Sequence, residues 1–128
     1  MKFEVPKIWC ERLNAGDLNG VLSLYDENAL LFATFDVQPL VQPEQRRKYF
    51  EGFLARPGAG VEVDETTLVH IRHSDDVYQA TGLYVFFYEE GDGLVRQHAR
   101  FTFIVSVDES PLILHHHSSL VPNAEPAE

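Results

Sequence analysis

The stretch Leu94-Val95-Arg96-Gln97-His98-Ala99-Arg100-Phe101-Thr102-Phe103-Ile104-Val105 changes character at almost every residue. Val95, Ala99, Phe101, Phe103 and Val105 fall on one side of an extended chain, and Arg96, His98, Arg100, Thr102 and Ile104 on the other. That period of two marks a strand, and it extends well beyond this stretch. Four runs share it, Val61 to His73, Val77 to Glu89, Leu94 to Val107 and Pro111 to Val121. The breaks between them, Ser74-Asp75-Asp76, Glu90-Gly91-Asp92-Gly93 and Asp108-Glu109-Ser110, are short enough for hairpins. The second half of the chain therefore reads as an antiparallel meander of long strands.

Upstream the period lengthens. Ile8, Leu13, Val21, Leu22, Leu24 and Tyr25 recur at helical spacing around the break Asn14-Ala15-Gly16-Asp17, where Gly16 suits a left-handed stop and Asp17 an N-cap. Ala29 to Phe32 predicts a short strand, Thr34 to Pro43 a loop, and Glu44 to Leu54 a third helix ended by Arg56-Pro57-Gly58. Helices first and strands after predict an α+β fold with three helices laid on one face of a curved, mainly antiparallel sheet. Both faces of that sheet are sticky, since Tyr84, Phe86 and Tyr88 oppose Leu83, Val85 and Phe87. Helices cover only one face, so the other is expected to pack on a second copy, most simply as a two-fold homodimer or larger.

The chain of 128 residues is 45% apolar and 23% charged, which suits a single globular domain over residues 1–122 followed by a flexible acidic tail, 123–128. Its net charge of −10 makes nucleic acid a poor partner. Apolar runs such as Ala29 to Ala33 are far too short to span a bilayer, and no export signal is visible, so the expected location is the cytoplasm without a membrane partner. Cys10 is the sole cysteine, which excludes an internal disulfide.

Two features point to chemistry. His115-His116-His117-Ser118-Ser119 continues a strand, so His116 and Ser118 share one face while His115, His117 and Ser119 share the other. Three histidines split in this way do not close on one ion, so no metal is expected. An expression tag would have no reason to respect the alternation. Arg100 interrupts a strand rich in Phe and Val, where an unpaired buried charge costs several kcal/mol, about 3–5 when a partner is lost. It is expected to face a pocket that binds a small organic anion, with His98, Tyr84, His116 and Ser118 gathered around it as polar contacts. No phosphate loop, dinucleotide fingerprint or nucleophile elbow occurs, and no cofactor is expected.

Taken in order, Trp9, Asn14-Ala15-Gly16-Asp17, Leu24-Tyr25, Ala29-Leu30-Leu31, Tyr49-Phe50, Phe53-Leu54, Gly82-Leu83-Tyr84-Val85-Phe86, Ala99-Arg100-Phe101-Thr102-Phe103 and His116-His117-Ser118-Ser119 with Pro122 form a recognisable series. Over about residues 5 to 122 it resembles bacterial relatives of the calcium/calmodulin-dependent protein kinase II association domain, within the nuclear-transport-factor-like and SnoaL-like group. The resemblance implies a cystatin-like cone of helices wrapped by a curved sheet, oligomerisation through the outer sheet face, and a deep inner pocket lined by arginine, with Arg100 at the matching position. Ser118 and the strand holding Tyr84 lack the further arginines of the kinase domain, which implies a less cationic pocket. No kinase catalytic domain is expected within these 128 residues. The expected function is thus a homo-oligomeric protein binding a small organic anion, a carboxylate among the candidates, in the cone. A cofactor-independent isomerase, dehydratase or hydrolase using the same pocket, and a pure assembly domain, are the alternatives.

Overall fold

The computed structural model describes residues 4–107 and 112–122. Its elements run α1 (Val5–Asn14), α2 (Leu18–Leu22), β1 (Tyr25–Phe32), α3 (Pro43–Leu54), β2 (Gly60–Arg72), β3 (Val77–Glu90), β4 (Gly93–Ser106) and β5 (Leu112–Leu120). The order follows the sequence periods closely. Gly16 ends the first helical unit at φ +71°, and the Asp17 carboxylate accepts the amide of Gly20 at 2.9 Å to start the second. At α3 the Gln45 side chain accepts the amides of Val41 and Gln42, both at 2.9 Å, so this helix begins at Pro43 rather than Glu44. The anticipated tail and the Asp108-Glu109-Ser110 turn lie outside the described residues.

One five-stranded sheet has the order β1-β5-β4-β3-β2. Neighbours are antiparallel except β1 and β5, which run parallel, so the short strand Ala29 to Phe32 is longer than its apolar core suggested. Two irregularities matter. In β5 Ile104 pairs with His115 while Val105 pairs with Ile113, which leaves Leu114 as an extra residue. That bulge lets Ile113 and His116, an odd number of residues apart, both face inward. In β2 the pairing jumps from Asp64 with Leu83 to Val69 with Thr81, so four residues loop past Gly82. A side chain at Gly82 would press on the Thr67 hydroxyl at 3.1 Å and on Leu68 and Phe101 at 3.3 Å, so glycine permits the close approach.

The helices cover one face of the sheet. Trp9 of α1 stacks on Tyr84 with centroids 5.6 Å apart and meets Phe50, Phe86 and Phe103 edge-on. Asn14 closes the end of α1 on the sheet, donating to the Val61 carbonyl at 2.9 Å and accepting the Val61 amide at 2.8 Å. Arg46 of α3, which the sequence reading passed over, is only 3% exposed. Its guanidinium donates to the carbonyls of Ala29 at 2.7 Å and of Asp26 and Glu27, both at 3.1 Å, and lies 5.7 Å from the centroid of the Tyr25 ring. Burial pulls its pKa down, opposed by Tyr25 and Asp26. This arginine ties α3 to the part of β1 where the register shifts between Tyr25 and Leu30.

Arg46→Leu leaves buried carbonyls without donors and is expected to lower the unfolding free energy by about 2–4 kcal/mol. Arg46→Lys, which cannot reach three carbonyls in one plane, is expected to recover less than half of that in urea denaturation.

Candidate functional site

Inside the cone, polar side chains from four elements and the loop after β1 meet among the aromatics. The Trp9 indole donates to the Tyr25 oxygen at 3.1 Å, and Tyr25 Oη lies 2.7 Å from His116 Nδ1. Tyr84 Oη lies 3.1 Å from His116 Nε2 and donates to Ser118 Oγ at 2.6 Å. Ser118 in turn bonds the Thr34 hydroxyl. Indole nitrogen can only donate, so Tyr25 accepts from Trp9 and keeps its own proton for another partner. Tyr84 gives its one proton to Ser118, so its contact with His116 Nε2 is made by Nε2–H, which leaves Nδ1 to accept from Tyr25.

Such an arrangement holds His116 neutral. It is 2% exposed, and burial, followed by the nearby His115 and His117, drives its pKa well below the ordinary value of 6.5. Burial likewise pushes the phenols of Tyr84 and Tyr25 upward, against hydrogen bonds from Ser118 and Trp9 respectively. The cone thus carries polarity without charge. A void of about 10 Å³ within it is lined by Thr34, Tyr49, Phe50, Tyr84, His116 and Ser118 among others, at the lower limit for one water. Phe35 closes the mouth, stacked on Phe53 at 6.3 Å and edge-on to Phe86 at 5.4 Å, with the Arg56 guanidinium 5.4 Å from its ring and 4.3 Å from Tyr88.

Arg100 is not in this cone. The expected cleft of Arg100, His98, Tyr84, His116 and Ser118 is divided by the sheet, with Tyr84, His116 and Ser118 buried on the helix side and Arg100 and His98 exposed on the other. The reason is strand parity: Phe101 and Ala99 point into the core, so Arg100 and His98 cannot. Its charge is solvated rather than buried, and the argument that it needs a partner to offset burial falls away. Cross-strand from Arg100 stand Leu83 and Ser119, and its Nε donates to Ser119 Oγ at 3.2 Å. It lines an open groove of about 460 Å³ on the outer face with Thr67, Thr81, Leu83, Thr102, His117 and Ser119. The bulge in β2 forms one wall of this groove, where Thr67 Oγ1 accepts the Leu83 amide at 2.9 Å.

The sequence reading missed Trp9, Tyr25 and Thr34 as members of the inner network. Trp9 was visible only as an aromatic on a helix, and Tyr25 precedes the apolar run that announced its strand. Among the described residues no three His, Cys, Asp or Glu side chains converge on a metal position, and no helix is long and apolar enough to cross a membrane.

A curved five-stranded sheet closed on one face by helices, with a polar cluster at the heart of the cone, defines the cystatin-like, NTF2-like class. A cystatin-like NTF2-like protein from Novosphingobium aromaticivorans superposes with a TM-score of 0.76 at 11% identity, over 97% of this chain and 82% of that one. A ketosteroid isomerase-like protein from Erwinia carotovora atroseptica gives 0.73 at 10% identity, over 94% and 98%. At such identities the likeness carries the fold alone. Residues 3–122 match the calcium/calmodulin dependent protein kinase II association domain, and the chain belongs to that family. A structure assigned to the same association domain, from Xanthomonas campestris, superposes with a TM-score of 0.84 at 25% identity, covering 94% of this chain and 86% of that one. A search of curated proteins gave no match.

Because the folded pKa of His116 is depressed, the unfolded chain binds the extra proton once the pH drops below about 6.5, and stability falls with pH from there down to the folded pKa. Between pH 6.5 and the folded pKa the slope expected from this one group approaches about 1.4 kcal/mol per pH unit. His116→Gln keeps a donor and an acceptor but cannot titrate. Urea denaturation over this range is expected to show its pH slope reduced by about one proton relative to wild type.

Proposed function

We propose that this protein is a homo-oligomeric association domain that joins copies of itself through the outer face of its sheet and binds a small organic anion there against Arg100. The observation that carries the reading is the apolar surface the helices leave uncovered. Phe32, Val69, Ile71 and Leu83 are all more than a third exposed, although they sit on long strands of the sheet rather than in loops. A solvated sheet face has no need of such side chains, whereas a second copy of the same face would bury them. Membership of an association-domain family supports the same reading. The groove around Arg100 lies on this face, so a partner copy would roof it and reduce the access of water to the guanidinium.

The alternative of an isomerase, dehydratase or hydrolase acting in the cone has the buried Tyr84–His116 pair in its favour. Against it stands the filled interior, because a void of about 10 Å³ admits no ring substrate. The groove, in contrast, is open and holds hydroxyls and one guanidinium suited to a carboxylate.

Light scattering at micromolar concentration is expected to give wild type a multiple of 14.6 kDa. Leu83→Asp, which places an unpaired charge on the face at an exposed position, is expected to weaken association by about a hundredfold or more, which corresponds to about 3 kcal/mol. A single-chain mass for wild type would remove the association reading. For the anion, small carboxylates screened by thermal shift are expected to stabilise wild type and leave Arg100→Ala unmoved. Equal stabilisation of both proteins would exclude Arg100 as the contact.

A further inference from the structure

The three consecutive histidines are used twice. His116 points inward and is absorbed into the cone, but His115 and His117 emerge together on the outer face at the middle of the uncovered surface. Both rings abut Phe32 of β1, His117 with centroids 5.4 Å apart and His115 at 6.2 Å. Along the sheet, His117 stands between Phe32 and Thr102, and His115 between Leu30 and Ile104. Two imidazoles from one strand face thus sit within an apolar row of the surface assigned above to association.

We propose that His115 and His117 make self-association pH-dependent, the copies separating when these imidazoles become charged. The inference rests on the association reading. When a second copy covers the face, a neutral imidazole is buried at little cost, whereas an imidazolium loses its hydration. Protonating both also sets two like charges side by side on one strand. Among the described residues, those beside them along the sheet, Leu30 and Phe32 of β1, Thr102 and Ile104 of β4, and Gln79 and Thr81 of β3, bring no opposing charge. The charged neighbour is Arg100, which lines the groove with His117 and adds repulsion. His98 and Arg96 lie farther along β4 and add positive charge on acidification or none, while Glu62 and Asp64 lie across the sheet on β2, beyond β3. Already in the single chain, burial followed by His117 lowers the pKa of His115, against a backbone hydrogen bond at Leu30.

The direction separates this effect from general electrostatics. Acidification moves a chain of net charge −10 toward its isoelectric point near 4.9, which by itself promotes association. A histidine device acts the other way. Each imidazole kept neutral in the assembled state weakens association about tenfold per pH unit once the pH is low enough to charge it in the separate chain.

Sedimentation equilibrium of the whole protein at pH 7.5 and pH 5.5, within the range where the near-UV signal of Trp9 is unchanged, tests this. Wild type is expected to show its dissociation constant raised by about a hundredfold or more at pH 5.5, and the double variant His115→Gln/His117→Gln by less than about threefold. An unchanged constant for wild type, or the same pH dependence in the double variant, overturns the histidine mechanism while leaving association standing. A single-chain wild type at pH 7.5 overturns association itself and this inference with it.

Discussion

A strand can offer only every second side chain to the same side, and in this protein that constraint separates two chemistries that are adjacent in sequence. His116 is sealed in the cone and held neutral while His115 and His117 stand on the opposite surface. Phe101 and Phe103 enter the core, and Arg100 between Ala99 and Phe101 is thereby sent out. Any one-residue slip of β4 or β5 would bury a guanidinium or two imidazoles and expose the aromatic filling of the cone. The penalty for such a slip, several kcal/mol for each buried charge, is what makes the register unique. Polar residues thus specify the sheet as strongly as the apolar ones do.

Within the cone, specificity comes from direction as well as contact. Tyr84 spends its one proton on Ser118, so His116 donates to Tyr84 through Nε2–H and accepts from Tyr25 at Nδ1, while Tyr25 accepts from Trp9. A neutral histidine with both nitrogens engaged cannot take up a second N–H proton without breaking this order. Arg46 applies the same logic at the edge of the core, where three carbonyls of an irregular strand need donors and one planar guanidinium supplies them. Both groups fix geometry that an apolar core of equal volume would leave degenerate.

Much of this was legible in the sequence because the relevant signals are local. The periods gave eight elements in order, and alternation sorted His116 and Ser118 from His115 and His117 before any coordinates. What remained hidden was non-local. Arg100 was grouped with Tyr84 and His116 because its position among Phe and Val suggested burial, although the same alternation already placed it opposite Phe101. Arg46 sits on a helix between charged neighbours, and nothing in Gln45-Arg46-Arg47-Lys48 distinguishes the one residue that turns inward. The bulge at Leu114 is equally silent, since an unbroken alternation would place Ile113 with the outer histidines. The parallel pairing of β1 with β5 joins residues about ninety apart, and no periodicity reports that.

The cone is a shared frame whose use depends on what fills it. Here Trp9, Tyr84, Phe86 and Phe103 occupy the space, Phe35 plugs the mouth, and the polar groups satisfy one another. A ligand entering would have to displace packed aromatics and supply every hydrogen bond it broke, and each buried polar group left unpaired costs about 1–3 kcal/mol. The outer face carries no such penalty, because its apolar side chains are still exposed and the Arg100 guanidinium has spent one N–H on Ser119. Free energy for recognition therefore remains available on the outside of this sheet, where the residues that packing did not use are concentrated.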